Sequence, residues 1–159
     1  MFDLVIAIMK KNSLESTIVQ LLCVSKLLMQ RQFGSDKRLA LIILDIAVEI
    51  ALKSYAIGHN LPKIDKSNTK TISSILAKLQ EQNKLVSYEK NSILKYHMIA
   101  KKLYNIQKPT ILTDKTIEDY SVLARILLAN LYDFRASKAE WQNMISKTVK
   151  SFRIFDVRK

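Results

Sequence analysis

Apolar side chains return at steps of three and four along most of this 159-residue chain, the period of helices that each bury one face. Asn12 followed by Glu15 has capping-box spacing, and Leu14, Ile18, Leu21, Leu22, Val24, Leu27 and Leu28 follow at helical intervals. A first helix is predicted to about Gln32, with Gly34 as its left-handed stop. Ser35 then caps a second helix, with Asp36 near its positive end. From Leu39 to Tyr55 that helix is apolar on almost every side, which predicts a central helix enclosed by neighbours. Its polar residues Asp45, Glu49 and Lys53 recur every fourth position and make one thin stripe. The helix ends near Gly58, ahead of Pro62.

Ile72, Ile75, Leu76 and Leu79 mark a third, amphipathic helix, followed by a loop around Asn83–Glu89. Helix four carries Ile93, Leu94, Tyr96, His97, Ile99, Ala100, Leu103 and Tyr104 and stops before Pro109. Thr113 caps helix five, whose buried face is Tyr120, Leu123, Ile126, Leu127 and Leu131. The pattern resets at Ala136–Ser137, and a last helix over about 138–151 carries Trp141, Met144, Ile145 and Val149. Residues 2–11 fit a short strand or a helical turn equally well. These boundaries divide the chain into a bundle over 1–137 and a basic C-terminal helix and tail over 138–159.

Composition sharpens the fold class. With 48% apolar residues the chain can build a core, and with only 2 Gly and 2 Pro it lacks the turn residues of an all-β domain. An all-α compact bundle of about five helices plus a C-terminal helix is expected. The scarcity of glycine also excludes a Gly-rich phosphate loop. One cysteine, Cys23, sits among leucines and predicts a buried, inert thiol with no disulfide. Asp3 before LVIAIM and Lys10-Lys11 after it reverse the charge order of a secretory signal. The longest apolar stretch, interrupted by Asp45 and Glu49, is too short and too charged to span a bilayer. The expected setting is cytoplasmic, away from membranes.

Charge points toward a partner. Of the 26 Lys+Arg and 14 Asp+Glu, residues 53–108 hold 11 and 3, and residues 138–159 hold 6 and 2. Elsewhere the two signs balance. Local excess of this kind suits a polyanion such as RNA, and also fits a solvated lysine surface or an acidic protein or membrane partner.

Few side chains suit catalysis. His59 and His97 have no Cys, Asp or Glu at local ligand spacing, so neither metal nor cofactor is expected. Asp45 and Glu49 share a helix face, which fits a salt-bridge row and, less well, a pair of carboxylates for proton transfer or cation binding. The richest segment is Tyr96–Asn105, YHMIAKKLYN, with an imidazole, two ammoniums, two phenols and an amide. Cations suit phosphate, phenol rings suit stacking, and an imidazole suits proton transfer. The bland expectation buries Tyr96, Ile99, Ala100 and Leu103 and leaves the rest in water.

The text LALIILDIAVEIALKSYA, then YHMIAKKLYN two helices later, then a proline break and TIEDYSVLARILLANLYD, resembles the HEPN superfamily over about residues 13–135. The resemblance implies a bundle of about five helices, often dimeric, of the kind found in toxin–antitoxin, phage-defence and CRISPR-linked ribonucleases. In that family an R-x4–6-H motif in this segment cleaves RNA across a dimer interface. Here the Arg position is Ala100, the next polar position is Lys101, and the closing His position is Asn105. Alanine cannot stabilise a developing phosphorane, and asparagine cannot act as a general acid or base.

The expectation is therefore a dimeric HEPN-like module that binds RNA or another nucleic acid without cutting it. Lys95, Lys101, Lys102 and Lys108 are the expected phosphate contacts, with His97, Tyr104 and Asn105 beside them. Two alternatives stand beside this. One is a metal-independent ribonuclease using His97 with Lys101 or Lys102. The other is a helical subunit that docks a protein partner in a defence or toxin–antitoxin complex.

Overall fold

The computed structural model describes residues 14–30, 34–61, 69–104 and 112–156. Within them the chain forms six helices: α1 (Leu14–Gln30), α2 (Gly34–Gly58), α3 (Thr69–Glu81), α4 (Ser87–Leu103), α5 (Asp114–Tyr132) and α6 (Lys138–Asp156). No strand occurs among the described residues, and the all-α bundle is as the periodicity requires. Residues 2–11, Asn12, Gln32, Asn105, Lys108 and Pro109 lie outside the described residues. None of the helices among the described residues is long and apolar enough to cross a membrane.

Helix α2 is the hub. It packs against α1, α3, α4 and α5, and Ala40, Leu41, Leu44, Ala47, Leu52 and Ala56 are completely buried. Alanine at three of these positions lets neighbouring helices approach closely, and leucine fills the space between them. Ser25 on α1 donates its hydroxyl to the Ala40 carbonyl at 2.8 Å, joining α1 to α2. Tyr132 at the end of α5 donates to the Ala51 carbonyl at 2.7 Å. Helix α6 lies along α1, with Trp141, Met144 and Ile145 against the core and the Trp141 ring edge-on to Phe134. The basic C-terminal helix is thus laid on the bundle. Cys23, on the α1 face, is 1% exposed. Burial pushes its thiol up to about 11, against a smaller opposing pull from the Thr148 hydroxyl.

The helix ends depart from expectation in an instructive way. Gly34 is the first residue of α2 rather than a left-handed stop to α1. The left-handed positions belong to Asn60, Asn83 and Asp133, with φ of 49°, 57° and 52°. After α2, the Leu61 N–H reaches the Ala56 carbonyl at 3.0 Å; after α3, the Lys84 N–H reaches Leu79 at 2.8 Å. Both are six-to-one closures with Asn at the turning residue, the next-best choice where glycine is scarce. The loop expected over Asn83–Glu89 is shorter, because α4 already begins at Ser87. Glu89 lies in its first turn, and its carboxylate accepts the Val86 N–H at 3.0 Å. Thr113 caps α5 as expected, its hydroxyl oxygen accepting the Thr116 N–H at 3.2 Å. The last helix runs to Asp156, beyond the expected 151.

Candidate functional site

A carboxylate in the middle of an apolar helix needs donors, because an unpaired buried charge is very costly. Asp45 on α2 is completely buried, and two neighbouring helices supply its donors. From α4, His97 Nδ1 lies 3.0 and 3.1 Å from the two Asp45 oxygens. From α5, the Tyr120 hydroxyl donates to Asp45 Oδ1 at 2.8 Å. Both partners are themselves buried, His97 at 1% and Tyr120 at 0% exposure. This geometry makes Nδ1 the protonated nitrogen, and His97 Nε2 is left buried with no hydrogen-bond partner.

One turn along, Glu49 extends the cluster toward solvent. Its Oε1 lies 3.7 Å from His97 Nδ1 and pairs with the Lys101 ammonium. Its Oε2 pairs with Lys53 at 2.7 Å, the i,i+4 contact that the stripe on α2 implies. Burial pushes the Glu49 carboxyl up, but the hydrogen bonds and charges of Lys101 and Lys53 outweigh it and hold the group below its ordinary 4.5. Lys101 answers in kind. Burial pulls its ammonium down, while the Glu49 hydrogen bond and charge, helped by Asp45, carry it above 10.5. The Tyr120 hydroxyl is driven well above 10, first by burial and then by the charge and hydrogen bond of Asp45. Two ammoniums thus hold Glu49 at the solvent edge of the cluster.

Asp45, Glu49 and His97 each offer one ligand atom within 4.8 Å of the others. One imidazole and two carboxylates are a chemically acceptable set for a divalent transition metal. To bind here, a cation would have to displace Lys53 and Lys101 from Glu49 and the Nδ1 proton from Asp45. His97 has no carboxylate at ligand spacing along the chain, yet Asp45 and Glu49 reach it from α2, because spacing cannot see a contact made between helices.

The segment Tyr96–Asn105 is divided by the helix surface. His97, Ala100 and Leu103 point into the bundle, with exposures of 1%, 0% and 3%. Burying His97 departs from the expected wet position, and the demand of Asp45 for a donor explains it. Lys101 stands at the rim, held by Glu49 and 5.5 Å from the centroid of the half-exposed Tyr104 ring. Tyr96 tilts against Tyr120 with ring centroids 5.1 Å apart and donates to Asp119 at 3.4 Å. Lys95 and Lys102 face outward and flank Met98 in a shallow groove completed by Asn91, Leu94 and Ile99. Neither of these two ammoniums has an ion-pair partner among the described residues. Asn105 and Lys108 fall outside the described residues.

Sequence reasoning missed Tyr120 as a member of the cluster. The signal was available: a lone Asp inside LIILDIAVEI calls for hydrogen-bond donors on the flanking helices, and a tyrosine on the buried face of α5 can be one. In comparisons with known proteins, the chain matches no family model, no curated protein and no solved structure.

Proposed function

We propose that this chain is a HEPN-like module that holds RNA without cutting it, as a component of a defence or toxin–antitoxin assembly. The observation that carries the reading is the division of α4 into two faces. The inner face commits its imidazole to Asp45 and its rim lysine to Glu49. The outer face presents Lys95 and Lys102 without an ion-pair partner among the described residues, on the block of the chain with the largest net positive charge, Lys95 lying 5.8 Å from the Tyr96 ring centroid. Phosphate contact needs solvent-facing cations that no carboxylate holds, and those two residues meet that requirement. Cleavage needs an acid–base group within reach of the 2′-hydroxyl or the leaving oxygen. His97, 1% exposed and committed to Asp45, does not offer it. Ala100, fully buried, adds no charge.

The test is a fluorescence-anisotropy titration of labelled RNA across about 50 to 200 mM salt, with the RNA then run on a denaturing gel after incubation in chelator. Binding should weaken with salt and the RNA should stay full length. Each lysine on a phosphate contributes about 0.7 to the log–log slope, so replacing Lys95 and Lys102 together should reduce it by about 1.4. Undetectable or salt-independent binding would move the reading to a protein partner. Metal-independent cleavage abolished by His97→Ala would make the buried cluster an active site.

A further inference from the structure

The outer face of α4 carries more than two lysines. Tyr88, Asn91, Lys95, Met98 and Lys102 follow one another at steps of three, four, three and four, so they form one straight stripe along the helix. The stripe spans fourteen residue steps, about 21 Å at 1.5 Å per residue. Tyr88 is 76% exposed and Met98 54%. The stripe contains no acidic side chain: the one carboxylate of α4, Glu89, is turned back onto the Val86 N–H. Tyr88 thus offers an open ring on the same stripe as two ammoniums that no carboxylate holds, Lys102 and Lys95, the latter 5.8 Å from the centroid of the Tyr96 ring.

We propose that this stripe is a track for one single strand of RNA, with Tyr88 as a base-stacking platform and Lys95 and Lys102 on phosphates. This rests on the RNA-binding reading above and specifies its substrate. The choice of a single strand follows from the ring. A base can lie on Tyr88 only if its face is open, and a duplex hides its base faces inside the stack. The stripe is also one helix wide, too narrow to follow two successive minor grooves of an A-form duplex as shape readers do. Its one amide, Asn91, offers little hydrogen-bond reading of base edges, so binding is tolerant of sequence. At about 3.4 Å of rise per stacked nucleotide, 21 Å corresponds to about six nucleotides.

The experiment uses the full chain and fluorescein-labelled oligouridylates of graded length, with a hairpin-free duplex of matched charge as the competitor. Affinity should climb to about six nucleotides and then level off, and the duplex should compete poorly. Tyr88→Ala should weaken single-strand binding by about 5- to 150-fold, the range of one lost base–aromatic stack, with the salt slope unchanged. Tyr88→Phe, which keeps the ring, should bind within about twofold of the parent chain. Because Tyr88 is exposed, circular dichroism should show both variants folded. Equal affinity for the duplex, with Tyr88→Ala neutral, would overturn the single-strand track while leaving RNA binding in place. Absence of binding to any RNA would overturn both.

Discussion

Replacing Tyr120 by phenylalanine isolates the buried hydrogen bond at the centre of the bundle. The ring is fully buried and its packing on Tyr96 is kept, so the change removes one hydroxyl donating to Asp45 at 2.8 Å. Hydrogen bonds to a charged acceptor contribute about 1.5–3 kcal/mol, and Asp45 retains only the His97 donor. The loss at neutral pH should be about 1.5–3 kcal/mol, a fall in Tm of about 3–12 °C for a domain of this size. The pH dependence gives a second signature. In the unfolded chain a tyrosine ionises near pH 10, whereas burial and then Asp45 drive the folded Tyr120 hydroxyl well above that value. A group raised by folding contributes stability that is present below the unfolded value and lost as pH rises through the interval. The variant lacks this group, so its deficit should shrink above about pH 10. Urea unfolding followed by circular dichroism reads both, as a change in midpoint at constant m. A loss below about 0.5 kcal/mol at neutral pH, or a deficit that widens above pH 10, would refute the argument.

Two further outcomes follow from the same structure, and one from the sequence. Leu44→Ala, at a fully buried position on α2, should lose about 2–5 kcal/mol in urea unfolding; a loss below about 1 kcal/mol would show that α2 is not the hub. Glu49, held below 4.5 by folding, contributes stability present above that value and lost as pH falls through its folded value. Glu49→Gln should therefore flatten the acid limb of the stability curve, and an unchanged limb would count against the Lys53–Glu49–Lys101 arrangement. The family resemblance, rather than the structure, carries the proposal of an isologous homodimer with residues 96–105 near the two-fold axis; a monomer by light scattering at tens of micromolar would refute it, and a dimer seam that covers Met98 and Lys102 would refute the RNA stripe instead.

The bundle was legible because helical periodicity, caps and the scarcity of glycine and proline all pointed the same way. Leu39–Tyr55 announced a central helix through its apolar surface, and α2 occupies that place. The turns were less legible. Asn60, Asn83 and Asp133 took the left-handed positions, although Gly34 was available and opens a helix instead. A short polar side chain tolerates that conformation, so glycine alone is an incomplete marker. At the site, the Glu49–Lys53 pair could be read along one helix. The Asp45–His97 and Asp45–Tyr120 contacts could not, because they depend on how three helices are rotated about their axes. That rotation also decided which half of YHMIAKKLYN met water. The four-residue spacing of His97 and Lys101 placed them on one face, and only packing showed that His97 turns inward while Lys101 stays at the rim.

Lys101 and Lys102, adjacent in sequence, do different work, and their single alanine variants separate the two roles. Each variant is titrated with labelled single-stranded RNA over a range of salt and unfolded in urea. Lys102→Ala should reduce the log–log salt slope by about 0.7 and leave the unfolding midpoint in place. Lys101→Ala should leave the slope in place and lower the midpoint slightly, since its partner Glu49 loses one of two neutralising cations at a partly solvated rim. Equal reductions of the slope by both variants would mean that Lys101 leaves Glu49 for phosphate, and the division of α4 into a closed inner face and an open outer face would be wrong.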